Sequence, residues 1–220
     1  MRKLEPWPVP LQSVATLMFW LSLIFLLSGC GKPPLPVEKY ILEYSSPEIG
    51  ARPQLDQGLT VEQFAVAQAF NTSDMVYRPS PYQSEVYRYH RWRVNPGYLV
   101  TDYLVRDLRN SRLFRGVFLA PNSGNSRYRL EGAVEDFEEV DDPDGWKASL
   151  AINVTLIDTQ QELLPQRVVF QRSYKAVEPM PTKSPQGLAQ GMSQAMKSIS
   201  AQVIEDIYQA CRKRPPVKEK

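Results

Sequence analysis

The chain reads as an α+β domain: a mostly antiparallel, curved sheet with two main helices packed on one face. Three observations predict it. Apolar residues alternate with a period of two through much of the chain, most clearly where Trp146, Ala148, Leu150, Ile152, Val154 and Leu156 fall on one side and Lys147, Ser149, Asn153 and Thr155 on the other. Two segments carry the apolar stripe of a helix instead, and each opens with a capping residue followed by proline. The order is strands, helix, strands, helix, which departs from the strict alternation of a parallel α/β fold.

Taken in order, Tyr40 to Tyr44 predicts a first strand and Leu59 to Val66 a second. Met75 to Arg78 is short and extended. Glu85 to Trp92 alternates aromatic and basic residues. Asn95-Pro96 caps a helix in which Val100, Leu104 and Leu108 recur four apart beside Tyr103. Phe114 to Leu119 is a further strand. Three longer strands then form an antiparallel meander: Arg127 to Phe137, the Trp146 strand, and Arg167 to Val177. Turn residues lie between them, at Asp142-Pro143-Asp144-Gly145 and from Asp158 to Glu162. Ser184-Pro185 opens the last helix, whose stripe is Leu188, Met192, Ala195, Ile199, Val203 and Ile207. Arg212, Lys213 and Arg214 end it, where cations suit the helix dipole. The Met192/Met196 pair reads as core.

A hydrophobic fraction of 43% is enough for a sizeable core, and a net charge of +2 gives no sign of a nucleic-acid binder. The first residues differ in kind. Arg2 and Lys3 precede an uncharged apolar run over 14–27, too short to span a bilayer as a stable helix and of the length of a signal-sequence core. Leu27-Ser28-Gly29-Cys30 follows and resembles the bacterial lipobox at every position. Residues 1–29 are therefore expected to be a lipoprotein signal peptide, and Cys30 the lipidated residue, carrying acyl chains such as palmitate. Residues 30–37 form a tether in which Pro33, Pro34 and Pro36 favour an extended chain of about 3.1 Å per residue. The domain is placed at 38–212 and a polar tail at 213–220. With Cys30 acylated, Cys211 has no partner in the chain and reads as a small, half-buried hydrophobe, with no intramolecular disulfide.

Sites for chemistry are sparse. His90 is the only histidine, with no Gly-x-Ser-x-Gly elbow to serve, and one histidine does not build a multi-histidine metal centre. It reads as a strand histidine among aromatics. The run 135–145, EDFEEVDDPDG, invites a calcium loop. Aligning Asp142, Asp144 and Gly145 to that pattern puts Val140 and Ala151 where carboxylates belong, so it reads as a solvated hairpin tip. Tyr87 to Arg93 interleaves aromatics and cations, either as a strand entering the helix or as a surface for a partner or anionic lipid headgroups. No cofactor motif and no metal site is indicated, and an enzyme is not expected.

These features come in an order. A tyrosine-rich first strand follows the cysteine and proline tether. Then come LTVEQFAV, Val76-Tyr77-Arg78, Tyr89-x-x-Trp92, Leu99-x-x-x-Tyr103-Leu104-x-x-x-Leu108, and Tyr128-Arg129-Leu130-Glu131-Gly132 ending near Phe137. That order resembles the ABC-type transport auxiliary lipoproteins of MCE-type lipid transport systems. The resemblance implies a non-enzymatic docking or scaffold lipoprotein in the outer membrane, facing the periplasm. Its partners would be an MCE substrate-binding protein and an ABC permease and ATPase, moving phospholipid or other hydrophobic molecules, with self-association open. Tyr77, Arg78, Tyr89 and Trp92 match the family pattern and are the candidate partner-binding residues, whether they touch a partner or only pack. The alternative is a lipid- or lipopolysaccharide-binding envelope assembly factor, which needs an apolar cavity.

Overall fold

A computed structural model describes Met18 and residues 35–121 and 126–214. The signal sequence, Cys30 and most of the tether therefore lie outside the described residues, as does the end of the tail. The chain divides into two units, Met1–Pro36 and Val37–Lys220, and the fold that follows is that of the second.

Nine strands form one curled sheet: β1 (Glu38–Tyr40), β2 (Leu55–Val61), β3 (Ala65–Val66), β4 (Asp74–Arg78), β5 (Glu85–Trp92), β6 (Phe114–Leu119), β7 (Tyr128–Asp142), β8 (Gly145–Asp158) and β9 (Val168–Pro179). Helix α1 (Pro96–Ser111) lies between β5 and β6, the single turn α2 (Leu164–Arg167) precedes β9, and α3 (Pro185–Arg212) closes the fold. The predicted caps form. Asn95 accepts from the Gly97 amide at 2.9 Å and Ser184 from the Gly187 amide at 3.0 Å. Each satisfies an amide that the first helical turn leaves without a partner.

The sheet is mixed rather than mostly antiparallel, which corrects the expectation above. The meander β7–β8–β9 is antiparallel, as is β4–β5. The other edge of β7, however, is covered in turn by β2, β3 and β4, all parallel to it: Leu59 faces Tyr128, Ala65 faces Ala133 and Val76 faces Glu138. β6 adds parallel to β2, and β1 parallel to β5. Hairpins announce themselves through turn residues between adjacent runs. Parallel pairs join segments far apart in the chain and leave no local signal.

The first strand is displaced from the expected Tyr40 to Tyr44: it covers Glu38–Tyr40 and shares only Tyr40 with that expectation. Its ladder ends at Tyr40, and the extended segment after it is held by helices. Tyr103 on α1 donates to the Leu42 carbonyl, and the Glu43 amide donates to Ser193 Oγ on α3 at 2.9 Å. Leu42 is buried, and Tyr44 stacks on Tyr103 with ring centroids 5.3 Å apart. Period-two alternation reports extended backbone with one buried face, whatever satisfies the backbone.

The core lies between sheet and helices. Ala148, Leu150, Ile152, Val154 and Leu156 of β8 are fully buried, as are Leu188, Met192, Met196, Ile199, Val203 and Ile207 of α3. Each such large side chain contributes about 1.5–3 kcal/mol by leaving water. Gly191 lets α3 come close: a Cβ there would sit 2.8 Å from that of Ala148.

Candidate functional site

The candidate partner-binding residues lie on β4 and β5, where pairing is irregular. Asp74 faces Arg91, but Val76 faces Val86, so four residues from Tyr87 to His90 stand opposite Met75 alone. Extra residues of this kind bend a strand and re-aim its side chains. They gather rings: Tyr77 lies 4.9 Å from Tyr87, Tyr87 meets His90 edge-on at 6.1 Å, and His90 lies 5.8 Å from Tyr40 of β1.

Carboxylates border the rings. Tyr77 donates to Glu85, Tyr87 to Glu139 Oε2 at 2.7 Å, and Tyr40 to Glu38 Oε2 at 2.7 Å. The Tyr40 hydroxyl is pushed up to about 12, by burial first and then by Glu38. Tyr77 is raised by its bond to Glu85 and then by burial, and Tyr87 by burial and then Glu139. All three phenols stay neutral at physiological pH and act as hydrogen-bond donors. His90 Nδ1 stands 3.2 Å from the Tyr40 hydroxyl and 3.4 Å from Glu38 Oε2. Among the described residues, no group of three histidine, cysteine or acidic side chains is arranged to hold a metal ion.

The four candidates part company. Arg78 is partly exposed, its Nε 3.1 Å from Glu138 Oε1. Tyr77 and Tyr89 are half-buried. Trp92 is only 1% exposed, its ring 5.1 Å from and nearly perpendicular to that of Phe137. Trp92 is core, while the other three reach the surface.

The acidic run is a solvated tip only over residues 142–144. β7 and β8 pair as far as Asp142 opposite Gly145, leaving a two-residue turn. Glu138 and Glu139 are buried within the strand, and burial raises the carboxyl of each. Lys183, just before α3, donates to Asp141, and Lys147 Nζ lies 2.6 Å from Asp142 Oδ2. The reading of residue types missed this because burial of Glu139 depends on Tyr87, two strands away. Spacing carries no trace of that.

An open groove, of about 450 Å³, lies between the β1 segment and α3, lined by Lys39, Tyr40, Ile41, Gln186, Ala189 and Gln190 among others. At the far end of α3, Cys211 is fully buried, and burial pushes its thiol up to about 12. No helix among the described residues is long and apolar enough to cross a membrane.

Comparison with known proteins agrees with this architecture. The fold is similar to that of protein XCC0632 from Xanthomonas campestris, with a TM-score of 0.73 and 20% identity over 80% of this chain and 98% of that one. A second crystal structure, of an uncharacterized protein, is similar with a TM-score of 0.62 and 17% identity over 79% of this chain and 99% of that one. A comparison with curated proteins returns no match. The family of the ABC-type transport auxiliary lipoprotein component matches residues 40–204, from the last residue of β1 into α3. With three-quarters of its length matched as one continuous segment, the chain belongs to the family of ABC-type transport auxiliary lipoprotein components.

Proposed function

We propose that the protein is an outer-membrane-anchored, non-enzymatic docking lipoprotein of an ABC transport system of the MCE type, carrying phospholipid or another hydrophobic substrate. The family match over residues 40–204 carries this reading. The anchor is Cys30, whose setting Leu27-Ser28-Gly29 is that of a lipobox. The Gly31 that follows it, in place of aspartate, favours the outer membrane. Two or three acyl chains at about 0.8 kcal/mol per buried methylene make such attachment effectively permanent.

The docking surface is the β4–β5 face around Tyr77, Arg78 and Tyr89. Neutral phenols, a half-exposed guanidinium and a rim of carboxylates suit a protein partner, since tyrosine and arginine dominate interface energetics. Trp92 supports that face from beneath. The partner is the periplasmic MCE protein, which connects to the permease and ATPase, and self-association of the lipoprotein is compatible with the same role. The α3 groove is open, and its lining mixes polar side chains with Tyr40, Ile41 and Ala189, so it is not the enclosed apolar cavity that a lipid- or lipopolysaccharide-carrying assembly factor needs.

Affinity purification of the intact lipoprotein from membranes tests this. The ABC and MCE components should co-purify, and Arg78→Glu with Tyr89→Ala should lose them while the protein stays folded. Recovery of the partners undiminished by that double variant would move the docking surface elsewhere. Their absence with the wild-type protein would defeat the assignment.

A further inference from the structure

Tyr82 is fully exposed, at 105% of its reference area, and its φ is +69°. It sits at the tip of the β4–β5 hairpin, in a turn closed by the Gln83 amide bonding to the Ser80 carbonyl at 3.2 Å and by Ser80 Oγ donating to Gln83 Oε1 at 2.6 Å. Pro81 and Tyr82 are the two central residues. Proline suits the first of these positions, and positive φ at the second ordinarily calls for glycine. A bulky aromatic there works against the backbone and gains nothing from packing, and an outlier of this kind points to a use outside the domain.

The topology says which way the tip faces. β1 runs parallel to β5 with Glu38 opposite His90, and β5 runs antiparallel to β4 with Arg91 opposite Asp74. The chain therefore enters β1 from the same end of the sheet at which the hairpin protrudes. Val37 comes level with the middle of β4, and the tip stands roughly 15 Å beyond it at about 3.3 Å per strand residue. Residues 31–36 between Cys30 and Val37 reach about 20 Å when extended. The β7–β8 turn closes at this end too, with Trp146 41% exposed beside it. Charges here are largely matched: Asp142 with Lys147, Asp141 with Lys183, Glu138 with Arg78; outside these pairs Asp144 and Glu85 are exposed acids and Arg88 an exposed cation.

We infer that the β4–β5 hairpin tip is a membrane foot: Tyr82 seats in the headgroup interface of the bilayer that holds the lipid anchor, and so fixes the orientation of the domain. This rests on the acylation of Cys30. Tyrosine suits the site because its ring is apolar and its hydroxyl stays wet. The near-neutral surroundings make the contact an interfacial one that salt does not dissolve.

The test uses the native lipidated protein in vesicles of phosphatidylethanolamine and phosphatidylglycerol, spin-labelled at Tyr82→Cys or at Leu163→Cys. Leu163 is exposed at the opposite end of the sheet, and Cys211 is too buried to compete for label. The label at 82 should collide several-fold more with dissolved oxygen, relative to a water-soluble nickel chelate, than the label at 163, at low and high salt alike. A label at 83 should lose that immersion in a Tyr82→Gly background without a lower melting temperature. Equal, water-like accessibility of the label at 83, with Tyr82 retained, and of the label at 163, in protein whose mass shows acyl chains, would overturn the foot and leave the anchor standing. A mass without acyl chains would remove both.

Discussion

The Tyr87 hydroxyl on β5 donates a 2.7 Å hydrogen bond to Glu139 Oε2 on β7, passing over the intervening β4. Glu139 is fully buried, and its other oxygen has no hydrogen-bond partner. The Tyr87 bond therefore ties the aromatic face to the longest strand of the sheet. Tyr87→Phe removes the donor to Oε2 and leaves that buried oxygen without a partner. It should destabilise the domain by about 1–3 kcal/mol, read as a lower urea midpoint with unchanged slope.

Glu139 also sets a pH dependence. Burial raises its pKa above the ordinary 4.5, with Asp141 adding to the rise. Between 4.5 and that raised value the native state holds a proton that the unfolded chain has lost, so stability falls as pH rises through this window. Glu139→Gln removes this contribution to the slope and offers Asp141 a donor. The variant should match the wild type near pH 4 and exceed it at pH 7 in urea midpoint.

Asp158 acts in the opposite sense. It is fully buried, 3.0 Å from Arg127 Nη2 and 3.3 Å from Arg214 Nη1. Burial opposes its charge, but the two guanidiniums and the Gln160 amide prevail and hold its pKa below the ordinary range. Its contribution is present above the unfolded value of 3.8 and is lost as pH falls through the folded value. Asp158→Asn leaves Arg127 buried without its counter-charge and should cost about 3–5 kcal/mol at pH 7, with the deficit shrinking in acid. Thermal melts at pH 7 and pH 3 check both parts.

Gly132 answers to packing. A Cβ there would lie 2.5 Å from both the Asn153 carbonyl and Phe64 Cε1. Phe64 is 3% exposed and fills the space that β7 leaves open. Gly132→Ala should therefore cost about 1–3 kcal/mol by overpacking, although alanine suits a strand no worse than glycine. Adding Phe64→Leu should recover part of that loss in the same denaturation assay.

Much of this fold is legible in residue pattern alone. The β8 alternation, both proline-opened helices and the meander follow from local periodicity and turn chemistry, and the structure places them within a few residues of expectation. Pairing across long separations is not legible. Nothing near Leu59, Ala65 or Val76 shows that all three lie against β7, so the parallel half of the sheet is invisible until the chain is folded. The aromatic–basic strand shows the same limit: Tyr87 to His90 form an irregular stretch, and Trp92 turns into the core against Phe137. The acidic run misleads because carboxylates are expected in water, and only Tyr87, Arg78 and Lys183 explain why Glu138, Glu139 and Asp141 sit where they do.

Intact mass spectrometry of the protein extracted from native membranes checks the lipid anchor at Cys30. The chain should begin at Cys30 and carry the added mass of a diacylglycerol and its acyl chains. A chain that begins at Met1, or that bears a free thiol at Cys30, would contradict it.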